Sequence, residues 1–470
     1  MINATYDVRV YKIERRKNKS GKVTSYRVPW QTAGKLRKAS FPKEAQADAY
    51  RSSLLIAARN GEPFSTLTGE PVSWSRAAAV EMSWYGFACK FVDMKWKASS
   101  ANYRQDIARA LAAATPAMFA GDRGRPDGKQ LRHALKRWAF NTKQRDEATG
   151  ETAAALRWLA ANTKPVSALT EAQAVRDLLE AATTRLDGKR SATSTILRHK
   201  TILQNALDYA VELKLLERNP IKELKWKRPR TSSEVDRRSV VNHAQARALL
   251  AAVAAQEPSG QRLRAFFAVM YYAGLRPEEA VNLRAFNVIL PPQVENPETG
   301  RMEEPADGWG ELSFAEAAPF AGREWTDDGA LREVRPLKHR PDGHTRTVPC
   351  PPELVRILRD HLAEFGDGPG GRLFYGVQGG ELPTITYRRA WIAARAEALT
   401  ASEAASPLAR RVYDLRHACV STWLNAGVPA TQVAQWAGHS VEVLLRIYAK
   451  CIAGQDETAR RRITDALRET

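Results

Sequence analysis

Three kinds of hydrophobic pattern follow one another along the chain. Within residues 6–41, short β-type runs (Tyr6 to Ile13, Ser25 to Trp30, Leu36 to Phe41) are broken by basic, turn-like stretches such as Lys17-Asn18-Lys19-Ser20-Gly21-Lys22. A helical pattern then covers about Lys43 to Arg59, so residues 1–65 predict a small three-stranded sheet with one helix. Over residues 74–225 the apolar spacing is helical, with Trp74, Trp84, Trp96, Trp138 and Trp158 as expected core anchors. Within it, the segment 192–220 places Ile196, Leu203, Leu207 and Ala210 near one stripe, and Asn219-Pro220 is predicted to end that helix.

A basic, proline-containing stretch from Lys225 to Ser233 reads as the start of a linker, 226–238. The block 239–470 opens with a helical stripe of Leu263, Phe266, Phe267, Met270 and Tyr271. Residues 291–310, dense in Pro and Gly, predict a loop-rich insertion leading into β structure, and Pro341-Asp342-Gly343 predicts a hairpin turn. The fold class expected is multidomain and mainly α with small β elements: a sheet-plus-helix N-terminal module, a helical domain and an α+β C-terminal domain.

Charge narrows the partner. The chain has 72 Lys+Arg against 52 Asp+Glu, a formal net charge of +20. Residues 1–60 hold 14 basic and 4 acidic residues, half of that excess, so a polyanion such as nucleic acid is the expected partner. Strands in the major groove are one way such a module reads DNA. Cys89, Cys350, Cys419 and Cys451 lack C-x-x-C spacing, which indicates neither zinc nor a disulfide framework. The N-terminus has no signal-peptide pattern and no run reaches the ~18 apolar residues of a membrane span, so a cytoplasmic protein without a membrane partner is expected.

The last block carries residues suited to phosphodiester chemistry. In Gly274-Leu275-Arg276-Pro277-Glu278-Glu279, Gly274 suits a helix C-cap, Pro277 the first position of the next helix, and the glutamates its first turn, which puts Arg276 at a junction. Tyr413-Asp414-Leu415-Arg416-His417 precedes another helix. Trp436-Ala437-Gly438-His439-Ser440 reads as a C-cap, an exposed imidazole and an N-cap. Tyr448 falls in register with Val441, Leu444 and Leu445, a packing position.

The motifs A-G-L-R-x-x-E, a hairpin Lys338, x-D-L-R-H, A-G-H-S and I-Y occur in that order, with His439 23 residues after Arg416 and Tyr448 nine after His439. In this the chain resembles the tyrosine site-specific recombinase (phage integrase) family: its catalytic domain over roughly 240–455, its helical core-binding domain over 74–225, and its arm-binding module over 1–60. The resemblance implies that Arg276 and Arg416 clamp the scissile phosphate, the planar guanidinium matching two phosphate oxygens. It further implies that Tyr448 attacks phosphorus to give a 3′-phosphotyrosyl link and a free 5′-hydroxyl. Lys338 would protonate the departing oxygen and His439 would hydrogen-bond the phosphate. The ester keeps the bond energy, so no metal or other cofactor is implied. The implied partners are double-stranded attachment-site DNA, a homotetramer on two duplexes, and accessory DNA-bending or directionality proteins.

The family most often has His where this chain has Tyr413. A phenol is a poor base near neutrality but can still hydrogen-bond. Nearby positive charge is expected instead to lower the pKa of Tyr448 itself. Two other readings fit the same residues: a DNA relaxase of the type IB topoisomerase kind, and a catalytically inactive DNA-binding protein.

Overall fold

The N-terminal sheet forms because residues of Val23–Thr32 alternate between two faces. Val28 and Trp30 are buried against Ala47, Leu54 and Ala57 of the helix Glu44–Arg59. Lys35–Phe41 pairs antiparallel along this strand, while Val8–Val10 and Glu14–Lys17 pair with its two halves. The expected first strand, Tyr6 to Ile13, is reduced to Val8–Val10, and Glu14–Lys17, beyond that range, is a further strand, so this sheet has four strands rather than three. Trp74 joins this module rather than the helices that follow, with its ring 5.2 Å from that of Tyr50. The computed structural model describes the chain except for residues 1–3, 19–20, 75–81, 186, 230–233, 306, 339–342, 452–459, 462, 465–466 and 468–470.

Two compact units divide the chain, with the break between Pro229 and Arg230; residues 100–102 count with the second. In the first unit the helices include Trp84–Trp96, Gly150–Ala161, Ala172–Thr183 and Thr193–Glu212. Trp84 and Trp96 are buried as expected, and the Trp84 indole donates to Thr115 Oγ1 at 3.1 Å. Trp138 and Trp158 are only half-buried. Ile196, Leu203, Leu207 and Ala210 form the buried stripe of Thr193–Glu212. That helix stops before Asn219: Lys214 takes a positive φ of 59°, and Asn219 caps a separate short helix, Pro220–Glu223.

In the second unit the helix Gly260–Tyr272 is central, packed against His243–Ala254, Pro352–Phe365 and Asp414–Asn425. Phe266 and Phe267 are fully buried there, each contributing on the order of 1.5–3 kcal/mol. A three-stranded antiparallel sheet joins Val288–Ile289, Gly310–Phe314 and Arg346–Cys350. The insertion ahead of it holds a small strand pair, Val294–Glu295 with Met302–Glu303.

The surroundings of Lys338 differ from a simple hairpin. Phe314 pairs with Arg346, Leu337 N–H donates to Ala315 O at 3.0 Å, and Glu316–Ala317 pairs with Arg335–Pro336. Residues 310–317 therefore run beside both flanking strands in turn, and Lys338 directly follows the second of these pairings. Pro341 and Asp342 of the expected turn lie outside the described residues, as do residues 230–233 of the linker segment. The fold is mainly helical with small sheets, and among the described residues no helix is long and apolar enough to cross a membrane.

Candidate active site

One buried carboxylate organises the site. Glu279 sits at the third position of Pro277–Asn282, which Pro277 begins and Arg276 caps. The side chain of Glu279 reaches back to accept from Arg276 N at 2.8 Å and Arg276 Nη1 at 2.6 Å. It also receives the two ends of the Arg346 guanidinium, at 2.9 and 2.5 Å. Glu279 is 2% exposed. Burial alone would favour its neutral form, yet Arg346, Arg276 and Arg416 outweigh it and hold the carboxyl well below the usual range. The result is an ionised anchor that fixes two arginines by charge-assisted bonds.

Arg416, in the first turn of Asp414–Asn425, is fully buried. Its guanidinium donates to the carbonyls of Gly274 and Ala437 and lies 3.2 Å from His439 Nε2. Both carbonyls belong to helix ends turned by glycine. Gly274 has φ 62°, and Gly438 caps Ala430–Ala437 in the left-handed conformation, also at φ 62°. A Cβ on Gly438 would stand 2.6 Å from Arg346 Nη1, so glycine is needed there for space as well as for φ. Arg276 Nη2 donates to Gly438 O at 3.0 Å, tying the loop to the arginine pair.

His439 is half-buried, not exposed as the motif alone suggested, because Arg416 packs against its ring. Burial, followed by the charges of Arg416, Arg276 and Arg346, pushes its pKa down to about 3. It is a neutral hydrogen-bonding group near pH 7. Ser440 accepts from Val443 N at 3.2 Å and starts the helix Val441–Tyr448.

Arg276, Lys338, Tyr413 and His439 line one cleft of about 650 Å³, together with Gly438, Ser440 and Val443. Arg416 and Tyr448 lie outside that lining, both 0% exposed. The Tyr448 ring centroid is 6.3 Å from that of His439, and its hydroxyl is 2.9 Å from His417 Nδ1. Tyr413 caps Asp414–Asn425, and its ring meets His417 edge-on at 5.1 Å. Burial pushes the Tyr448 phenol up, outweighing the opposing effect of Arg416. The expectation of a phenol acidified by its cationic neighbours is therefore reversed, because the low-polarity surroundings penalise the phenolate more than one arginine favours it.

All six residues singled out from sequence thus belong to one cluster: four face the cleft and two stand behind it. Three further residues were given no role. Glu279 is the last letter of A-G-L-R-x-x-E, and its spacing from Arg276 is that of a reach-back cap. His417 ends x-D-L-R-H. Arg346 had no sequence signal, since its pairing with Glu279 spans 67 positions.

Neither a protein-family profile nor any curated protein matches the chain. Solved structures do. The Tn1549 transposon integrase in complex with transposon right-end DNA has 14% identity and a TM-score of 0.43, over 72% of this chain and 98% of that one. The XerH site-specific recombinase bound to difH substrate has 12% identity and a TM-score of 0.44, over 81% and 94%. A lambda integrase tetramer bound to a Holliday junction has 11% identity and a TM-score of 0.43, over 91% and 95%. At these scores the likenesses assign neither a function nor a residue role. The chain is similar to these integrases and recombinases, and its chemistry is set by the side chains described above.

Proposed function

We propose that the protein is a site-specific DNA recombinase that cuts and rejoins strands through a 3′-phosphotyrosyl intermediate. The observation that carries this reading is the gathering of Arg276, Lys338 and His439 at one cleft, with Arg416 hydrogen-bonded to His439 behind it and the Tyr448 ring 6.3 Å from that of His439. Cations and hydrogen-bond donors fixed before the substrate arrives stabilise charge on a phosphorane without reorganising. Glu279 fixes Arg276 through two contacts and Gly438 O through a third, so the guanidinium is oriented in advance. Tyr448 supplies the nucleophile that stores the phosphodiester as an ester. Entry of DNA has to open the contact between His439 and Tyr448 so that the phosphorus meets the phenol oxygen. Lys338, exposed and lining the cleft, is the donor to the departing 5′ oxygen.

Double-stranded DNA is the partner in this reading, with four protomers on two duplexes. The N-terminal sheet adds a second contact: Arg9, Arg16, Arg27 and Lys38 lie opposite Gln31, Ser25, Glu14 and Pro29 respectively, on the face turned away from the helix Glu44–Arg59. The test is incubation with a nicked suicide duplex in excess chelator, followed by peptide mapping of the residue joined to DNA. The expected product is a phosphotyrosyl peptide containing Tyr448. Rejoining confined to one duplex would assign a relaxase, and absence of any adduct an inactive DNA-binding protein.

A further inference from the structure

Burial disfavours the phenolate of Tyr448. Its ring is buried among Leu444, Val433 and Val420, and burial raises its pKa, so the proton has to pass to a nearby acceptor as the oxygen attacks. Tyr413, at the position where the resemblance places a base, packs edge-on against His417, and no hydrogen bond joins it to Tyr448 among the described residues. The side chain at the phenol oxygen is His417, its Nδ1 2.9 Å away. We infer that His417 is a catalytic residue, the group that takes the Tyr448 proton during strand cleavage and returns it during rejoining.

The inference rests on the strand-cleavage reading. The groups facing the imidazole are Asp414 and Arg411 at the start of its own helix, Arg416 beside it, Tyr413 against its ring, and Tyr448 across from it. Burial first, with Arg411 and Arg416 adding to it and Asp414 opposing, lowers the His417 pKa to about 4. Near pH 7 the ring is neutral, and with its proton on Nε2 it offers the Nδ1 lone pair to the phenol. In the forward step the Tyr448 Oη–P bond forms and the P–O5′ bond breaks. The phenol proton moves to Nδ1, and Lys338 protonates the leaving 5′ oxygen. In the reverse step the attacking 5′-hydroxyl gives its proton to Lys338, and His417 returns its own to the departing phenolate.

The test is single-turnover adduct formation by the full-length protein on the nicked duplex, from about pH 5.5 to 9, for wild type, His417→Asn and His417→Gln. The Asn amide oxygen can accept the phenol hydrogen bond near the Nδ1 position but cannot take the proton. Expected is a loss of roughly 10²–10⁴ in rate for His417→Asn, with DNA binding kept. Its rate should climb about tenfold per pH unit as hydroxide replaces the base, whereas the wild-type rate stays flat between about pH 6 and 8. A His417→Asn rate within threefold of wild type, or above it, would overturn the inference; the latter would make the contact a restraint on the nucleophile. Loss of DNA binding with a lowered melting temperature in both variants would also overturn it, by making His417 structural. No adduct at Tyr448 even in wild type would overturn the strand-cleavage reading itself.

Discussion

Arginine is used in opposite ways by the N-terminal sheet and by the cleft. On the sheet, Arg9, Arg16 and Lys38 are exposed, and the half-buried Arg27 has a 4.0 Å contact to the exposed carboxylate of Glu14. Such contacts are worth about 0–1 kcal/mol and are screened by salt. In the cleft, Arg346 and Arg416 are buried, and Glu279 holds Arg346 and Arg276 by short bonds. Removing a partner there strands a charge away from water. The difference separates two tasks: a mobile, solvated cation attracts any phosphate at long range, whereas a fixed one waits for a single phosphate in a single geometry.

The largest effect that sharpens this comparison is Glu279→Gln. It leaves the buried Arg346 uncompensated and should cost about 3–5 kcal/mol in denaturant unfolding, whereas Arg9→Gln should stay within about 0.5 kcal/mol. Equal effects would erase the distinction. Next come Arg276→Ala and Arg416→Ala, each expected to slow covalent adduct formation by about 10²–10³. Losses under threefold at both positions would exclude a phosphate clamp.

Stability should also follow pH. His417 and His439 have folded pKa values lowered to about 4 and about 3, so below about 6.5 the unfolded chain binds protons that the folded one refuses. Stability is therefore complete above that pH and falls as the pH drops toward 4. Glu279, also lowered, extends the loss below 4.5. A denaturation midpoint that does not change from pH 7 to 5 would contradict both histidine assignments. The smallest effect is on the sheet: replacing Arg9, Arg16, Arg27 and Lys38 by Gln should reduce the slope of log K against log salt by up to about 0.9 per lost contact, leaving the adduct rate at a short core site unchanged. An unchanged slope would return that face to a solvated surface.

The two regions were also legible to different degrees. The sheet could be read from alternation and charge density, except for the fourth strand, Glu14–Lys17, which depends on pairing with Val23–Thr32. The cleft was legible through the order of its motifs, since Gly274, Pro277, Gly438 and Ser440 mark the helix ends that carry Arg276 and His439. The burial of Tyr448 was legible from its helical register, but the electrostatic surroundings of the site were not. Whether His439 faces water and whether Tyr448 is acidified are settled by what packs on them from distant parts of the chain. The Arg346–Glu279 pair was hidden for the same reason, as was the pairing of Glu316–Ala317 with Arg335–Pro336 just before Lys338.

The most direct measurement compares wild type and Tyr448→Phe on the same nicked duplex, scoring binding by gel shift and covalent linkage after denaturation. The substitution removes one hydroxyl and keeps the buried ring. The account predicts binding within about threefold of wild type and complete loss of the covalent species. Covalent adducts at wild-type yield from Tyr448→Phe would contradict it.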